Sequence, residues 1–160
     1  DLVLGPRTLA EPADGLRFVP LIDDRVAVMC RAGHALAGKG TVLAADLQAQ
    51  TWLAHSRGSL LRQQTEAAMI ASGVASMQIG CETDSIRSAM EIVAETDLIT
   101  TMPRATTRPY LGDRLIFLPY DHPRFHRPLG LFRGGDAPRS RTEERFEQTL
   151  RAALPRLEAA

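Results

Sequence analysis

From Thr51 to Pro103 the chain alternates short apolar runs with amphipathic segments of helical period. No other feature constrains the fold as strongly. "TWLAHS" reads as a strand. Ser59 then stands where a helix would begin, and Leu60, Leu61, Ala67, Ala68 and Ala71 recur at helical spacing towards a stop at Gly73. "MQIGCET" is the next strand. Asp84 or Ser85 opens a second helix, whose Ile86, Ala89, Met90 and Val93 follow the i, i+3, i+4, i+7 rule. "LITTM" follows as a strand closed by Pro103. Strands joined by helical crossovers pair side by side, which predicts an α/β fold with mainly parallel pairing.

The flanks extend this pattern. "DLVLG" is an apolar run that stops at a Gly-Pro turn, and "LRFVPL" and "RVAVMC" read as two further strands. A Gly-rich loop leads to the short helical piece "AADL". "RLIFLPY" and "PLGLF" are strands, and a last helix starts near Ser140 with Phe146, Leu150, Leu154 and Leu157 as its buried stripe. The turn-dense stretch from Pro103 to Pro128 reads as a chain crossing between two lobes. There are no internal repeats.

Charge narrows the function classes. The chain carries 19 basic and 19 acidic residues, and each half balances: seven against seven up to Gly80, twelve against twelve after it. A segment that grips DNA or RNA would carry a basic face large enough to skew that count. An apolar fraction of 44% supports a packed core, and no apolar run approaches the length of a membrane span. Cys30 and Cys81 lie in or beside apolar stretches, without metal-ligand spacing, and are expected to be reduced core thiols. The chain opens on Asp1, inside an apparent strand and without an initiator Met, so it is expected to be a fragment with its N-terminal part removed.

One loop imitates a phosphate cradle. "GHALAGKGT" places Gly33, Gly38 and Lys39 in nearly the G-x-x-x-x-G-K-[ST] pattern. The position after Lys39 is Gly40, which has no hydroxyl for a magnesium ion, and the segment that follows offers only a turn or two of helix. A polar connector is the better reading. His122 and His126 have i, i+4 spacing, but Pro119, Pro123 and Pro128 exclude the regular helix on which that spacing would suit zinc. His55 and Ser56 are adjacent; in a strand they point to opposite faces, so nucleophile-base catalysis by the pair is not expected.

"HSRGS" is more informative as a binding element. It joins the end of a strand to the start of a helix, where free N–H groups at Ser59 to Leu61 favour an anion. Arg57 could pair with a carboxylate bidentately, and the hydroxyls of Ser56 and Ser59 could donate. "ETDS" (Glu82 to Ser85) repeats the layout. Ordinary capping would explain Ser59, Asp84 and Ser85 one at a time; the repeat of the layout makes a binding cleft facing both helix starts an equal reading.

Taken in order, "RVAVMCRAGHALAGKGTVLAADLQAQTWLAHSRGSLLRQQ", "IRSAMEIVAETDLITTMPR" and "RPLGLFR" resemble the effector-binding domain of LysR-type transcriptional regulators, over essentially all 160 residues. The sequence departs from the family where Glu95-Thr96-Asp97-Leu98 replaces the Gly residues often found between the second helix and its strand. The resemblance implies two Rossmann-like lobes of the type 2 periplasmic-binding-protein fold, with residues 26–105 as one lobe. Residues 1–25 and 106–160 would form the other, incomplete in this chain.

The resemblance further implies an effector pocket between the lobes. Its residues map onto Gly5, Pro6 and Arg7, onto Ser56, Arg57, Gly58 and Ser59, onto Thr83, Asp84 and Ser85, and onto Thr101. It implies a ligand-sensing module of a cytoplasmic bacterial regulator that binds a small anionic effector and contacts DNA only through an absent N-terminal helix-turn-helix. Dimers or tetramers are expected; no cofactor, metal, membrane contact or catalytic residue is. A periplasmic solute-binding protein of the same fold is the alternative. An enzyme of that fold would need a positioned acid or base, for which Asp84 is the nearest candidate.

Overall fold

The computed structural model describes residues 2–9, 15–134 and 139–154. These residues form two units, one comprising the chain up to Arg25 and from His126 onward, the other Val26–Phe125. The second boundary falls at Phe125/His126 and not near residue 105. The turn-dense stretch stays with the second unit because β7 (Leu115–Phe117) pairs with β3 (Val26–Arg31), Met29 opposite Phe117, and because Phe125 is buried in that unit's core.

In the first unit, β1 (Leu2–Pro6) and β2 (Leu16–Ile22) flank a central β8 (Leu129–Gly134), both antiparallel to it. Gly5 lies opposite Gly130. On the other side a side chain at Gly130 would run into the Val19 carbonyl and the Phe18 ring. Phe18 in turn packs on Phe132, ring centroids 4.9 Å apart. The last helix, α5 (Arg141–Ala153), starts as expected at Ser140, whose hydroxyl accepts from Glu143 N–H while the Glu143 carboxylate accepts from Ser140 N–H.

The buried stripe expected on α5 is not there. No described residue of the helix is buried, and Phe146 is 49% exposed. Its more enclosed face carries Glu143, Glu147, Leu150 and then Leu154, with Phe146 one step outside it. Glu147 binds Arg139 and Arg151 and lies 4.0 Å from Arg133 of β8, so Glu147 stands on the enclosed face where Phe146 was expected. Leu157 lies outside the described residues.

The second unit is built on β3, a nearly continuous apolar run. Such a run fits a strand covered on both faces. Val26, Val28 and Cys30 point to one side, with Trp52, Ile99 and the helix residues Ala68 and Met69; Met29 points to the other, with Leu53, Met102, Ala89 and Val93. The strands β4 (Thr51–Ala54), β5 (Gln78–Glu82) and β6 (Thr100–Pro103) complete the sheet. A bridge between Trp52 and Ile99 joins its two parts in the order β5-β4-β6-β3-β7.

Mainly parallel pairing holds only in part of this sheet. β4 and β5 are parallel, as is the bridge from β4 to Ile99, because α2 (Leu60–Ala71) and α3 (Ile86–Glu95) carry the chain back between them. β3 pairs antiparallel with both β6 and β7, and every pairing among the described residues of the first unit is antiparallel. Those strands are not linked to their neighbours by a helical crossover, the device from which parallel pairing was inferred.

Helix ends follow the sequence closely. Gly73 takes φ +84°, and the N–H groups of Gly73 and Val74 bond back to the carbonyls of Ile70 and Met69, closing α2. The buried faces are less well anticipated. α2 buries Leu61, Arg62, Thr65, Ala68 and Met69, and leaves Leu60 and Ala71 exposed; in α3, Ile86 is 52% exposed. Where Gly was replaced by Glu95-Thr96-Asp97-Leu98, Thr96 takes over the turn. Its hydroxyl donates to Ile92 O and accepts from Leu98 N–H, while Asp97 pairs with Arg31 at 2.7 Å.

Cys30 and Cys81 are both free, and burial pushes the Cys30 thiol up to about 11. Among the described residues no helix is long and apolar enough to cross a membrane.

Candidate functional site

The two strand-to-helix turns singled out from the sequence meet in the second unit. Asp84 Oδ1 accepts the N–H of Ser56 at 2.9 Å, and Thr83 N–H donates to Ala54 O at 3.0 Å. Parallel pairing of β4 with β5 makes this possible: it ends both strands at one edge, where the binding features of open α/β sheets gather. The Ser56 N–H and hydroxyl hold the Asp84 carboxyl below its ordinary range.

The two helix starts differ. Ser85 is an ordinary cap of α3, its hydroxyl accepting from Ser88 N–H at 3.2 Å, with Thr83 Oγ1 accepting from Ser85 N–H. Ser59 is the N-cap of α2, yet its hydroxyl makes no capping bond. Exposed Arg57 has neither a hydrogen bond nor an ion pair among the described residues, and Gly58 faces open space. The Ser59 N–H, expected to be free, donates to Ser56 O at 2.9 Å; among the described residues the open donors at the start of α2 are the Leu60 and Leu61 N–H groups, the Ser59 hydroxyl and the Arg57 guanidinium. That combination suits a carboxylate or similar anion.

Thr101 is buried against α2, where its hydroxyl meets that of Thr65 at 2.7 Å. Gly5, Pro6 and Arg7 belong to the first unit. Gly5 and Pro6 are buried; Arg7 is exposed, donates its N–H to Pro128 O, and holds its guanidinium 5.3 Å from the Phe18 ring centroid.

Sequence reasoning missed two residues of this region. Arg62 is only 5% exposed; it donates to Glu66 at 2.6 Å, to the His55 carbonyl at 3.2 Å and to Glu82 at 3.4 Å. A cation in the first turn of a helix runs against the helix dipole, which was the available signal that Arg62 has a structural task. His55 is buried, with Nδ1 3.9 Å from Asp84 Oδ1. Arg57, Arg62 and Glu66 also form the polar wall of a cavity of about 390 Å³, whose apolar floor includes Met69, Met77 and Ile79.

The phosphate-like loop has its own partners. Lys39 pairs with Asp46 at 2.6 Å, and the other Asp46 oxygen accepts Leu43 N–H at the start of the short α1 (Ala44–Gln48). His34 Nδ1 accepts Leu36 N–H within the loop. His122 Nδ1 accepts Arg124 N–H, and His126 pairs with Asp23. Among the described residues no group of three or more His, Cys, Asp or Glu is placed to hold a metal ion.

Comparison with known proteins agrees with this architecture. A family model described as the LysR substrate binding domain matches residues 1–155. The chain is 34% identical over 138 residues to the HTH-type transcriptional regulator GbpR of Azospirillum brasilense, a match covering 85% of this chain and 40% of that protein. It is 39% identical over 71 residues to the regulatory protein NocR of Agrobacterium tumefaciens, covering 44% of this chain and 24% of that one. The chain thus spans less than half the length of these relatives.

Among solved structures, the regulatory domain of Synechocystis PCC6803 CcmR in complex with 2-PG superposes with a TM-score of 0.81 at 19% identity, covering 96% of this chain and 73% of that one. The effector binding domain of QuiR in complex with shikimate gives 0.76 at 18% identity, covering 98% and 72%. At these identities the likeness establishes a shared fold.

Proposed function

The chain belongs to the LysR substrate binding domain family, and from that premise we propose that it senses a small anionic effector at the turns Ser56–Ser59 and Thr83–Ser85. One observation carries this reading: among the described residues, α2 begins with an unused Ser59 hydroxyl beside an unpaired Arg57. A helix start left open in this way accepts negative charge through its N–H groups and dipole. CcmR and QuiR have been solved with 2-PG and shikimate bound, which supports a small-molecule role for this fold.

In the longer protein, effector binding would shift the balance between two states of the regulator by its difference in affinity for them. DNA contact would belong to a helix-turn-helix outside this chain, in keeping with the neutral charge here. Cytoplasmic location and a homo-oligomer complete the proposal. The role is binding, and Asp84, held by Ser56, serves the turn and not acid-base chemistry.

The test is ligand-induced thermal stabilisation against a set of small carboxylates that includes shikimate. Stabilisation should appear in the wild type and be lost in the double variant Arg57→Ala, Ser59→Ala. Equal stabilisation of both proteins would overturn the site, and no stabilisation of either by any carboxylate would overturn the preference for anions.

A further inference from the structure

His55 lies directly beneath the candidate site. It follows β4, is 6% exposed, and among the described residues its buried Nε2 has no hydrogen-bond partner. Its carbonyl is held by Arg62. Its Nδ1 is 3.9 Å from Asp84 Oδ1, the same oxygen that accepts the Ser56 N–H. A polar ring is thus enclosed against the one carboxylate that ties the two turns together.

From this geometry we infer that His55 is a positioning residue: it sets the placement and effective charge of Asp84, and so the charge that the site prefers in its ligand. The inference rests on the anion-sensing reading above. With a neutral imidazole, Asp84 presents a full negative charge at the turn and opposes an anion. A protonated imidazole neutralises that carboxylate and draws on the oxygen that Ser56 uses, so the turn accepts an anion more readily.

The surrounding charges leave Asp84 as the partner. On α2, Arg62 is paired with Glu66 and, at longer range, with Glu82 of β5. Arg57 on the turn is exposed, and β6 supplies uncharged Thr101. Burial lowers the proton affinity of the imidazole, and the Asp84 charge and a backbone hydrogen bond with Thr101 only partly restore it, so the transition falls below the ordinary imidazole range.

The experiment needs no identified effector. In the 160-residue chain, the His55 ring is titrated by NMR in wild type and in Asp84→Asn, an exposed substitution that keeps the fold testable. Loss of the carboxylate should move the His55 midpoint to lower pH, and in wild type the Ser56 amide resonance should follow the His55 titration. An unmoved midpoint, or a Ser56 amide indifferent to His55, overturns the inference. The second arm uses sulfate, which keeps its charge across this range. Its affinity at the Leu60 and Leu61 amides should rise roughly two- to five-fold as pH falls through the His55 transition, and stay flat in His55→Gln. The same pH dependence in both proteins also overturns it. Absence of any sulfate response at those amides counts against the anion-sensing reading, while the titration arm still decides the role of His55.

Discussion

The side-chain hydroxyls of Thr65 and Thr101 lie 2.7 Å apart, both buried, where α2 crosses β6. Thr65 also donates to the Leu61 carbonyl at 2.8 Å. Its single proton being used there, Thr101 must donate to Thr65. The pair is therefore directional, and its two halves are not equivalent.

Thr65→Val removes the acceptor and leaves the Thr101 O–H buried without a partner, at a cost of about 1–3 kcal/mol. Thr101→Val leaves the Thr65–Leu61 bond intact and should cost less. The double variant should recover part of the loss. Urea unfolding of the four proteins in a double-mutant cycle measures this, with the order Thr65→Val below Thr101→Val as the decisive result.

Gly130→Ala should destabilise the first unit strongly, by about 3 kcal/mol or more, because a side chain there meets the Val19 backbone as well as the Phe18 ring. Gly5→Ala should be milder: its new methyl would meet only the tip and stem of Leu9, a side chain able to move. Thermal unfolding of the two variants tests the contrast.

Stability should depend on His55 in mildly acid solution. Its folded pKa lies below the ordinary 6.5, so the unfolded chain takes up the proton first. The contribution is present above the unfolded value and is lost as pH falls below it towards the folded value. Asp84 and Glu147, whose carboxyls are held low, lose their contributions only at lower pH. Melting temperature followed between pH 7 and 5 should decline in wild type and decline less in His55→Gln.

Ser140→Ala should weaken α5 by about 1 kcal/mol through loss of its capping box. Because no described residue of that helix is buried, the loss should appear as faster amide exchange within α5 and leave the second unit unchanged.

Much of the second unit was legible in the sequence because its strands and helices alternate and its helix ends are chemically marked. Gly73, Ser85 and Ser140 stop or start helices where backbone geometry requires it. The turns around Ser56 and Asp84 were found from helix-terminus physics, and the structure links them directly. Buried faces were harder. Arg62 and Thr65 occupy core positions because specific partners satisfy them; beside the local bonds to Glu66 and Leu61, the partners Glu82 and Thr101 lie 20 and 36 residues away and leave no local trace. His55 was set aside as half of an improbable catalytic pair; its closeness to Asp84 exists only once β4 and β5 lie side by side. Strand direction failed outside the helical crossovers, since an apolar run does not encode the direction of its neighbour.

The bond from Ser56 N–H to Asp84 spans 28 residues and needs β4, α2 and β5 already docked. It is therefore expected to form late in the folding of the second unit. Asp84→Asn should therefore speed unfolding more than it slows folding, which stopped-flow chevrons can resolve. On that expectation, the part of the chain read as sensing is also the part whose contacts are made last and surrendered first.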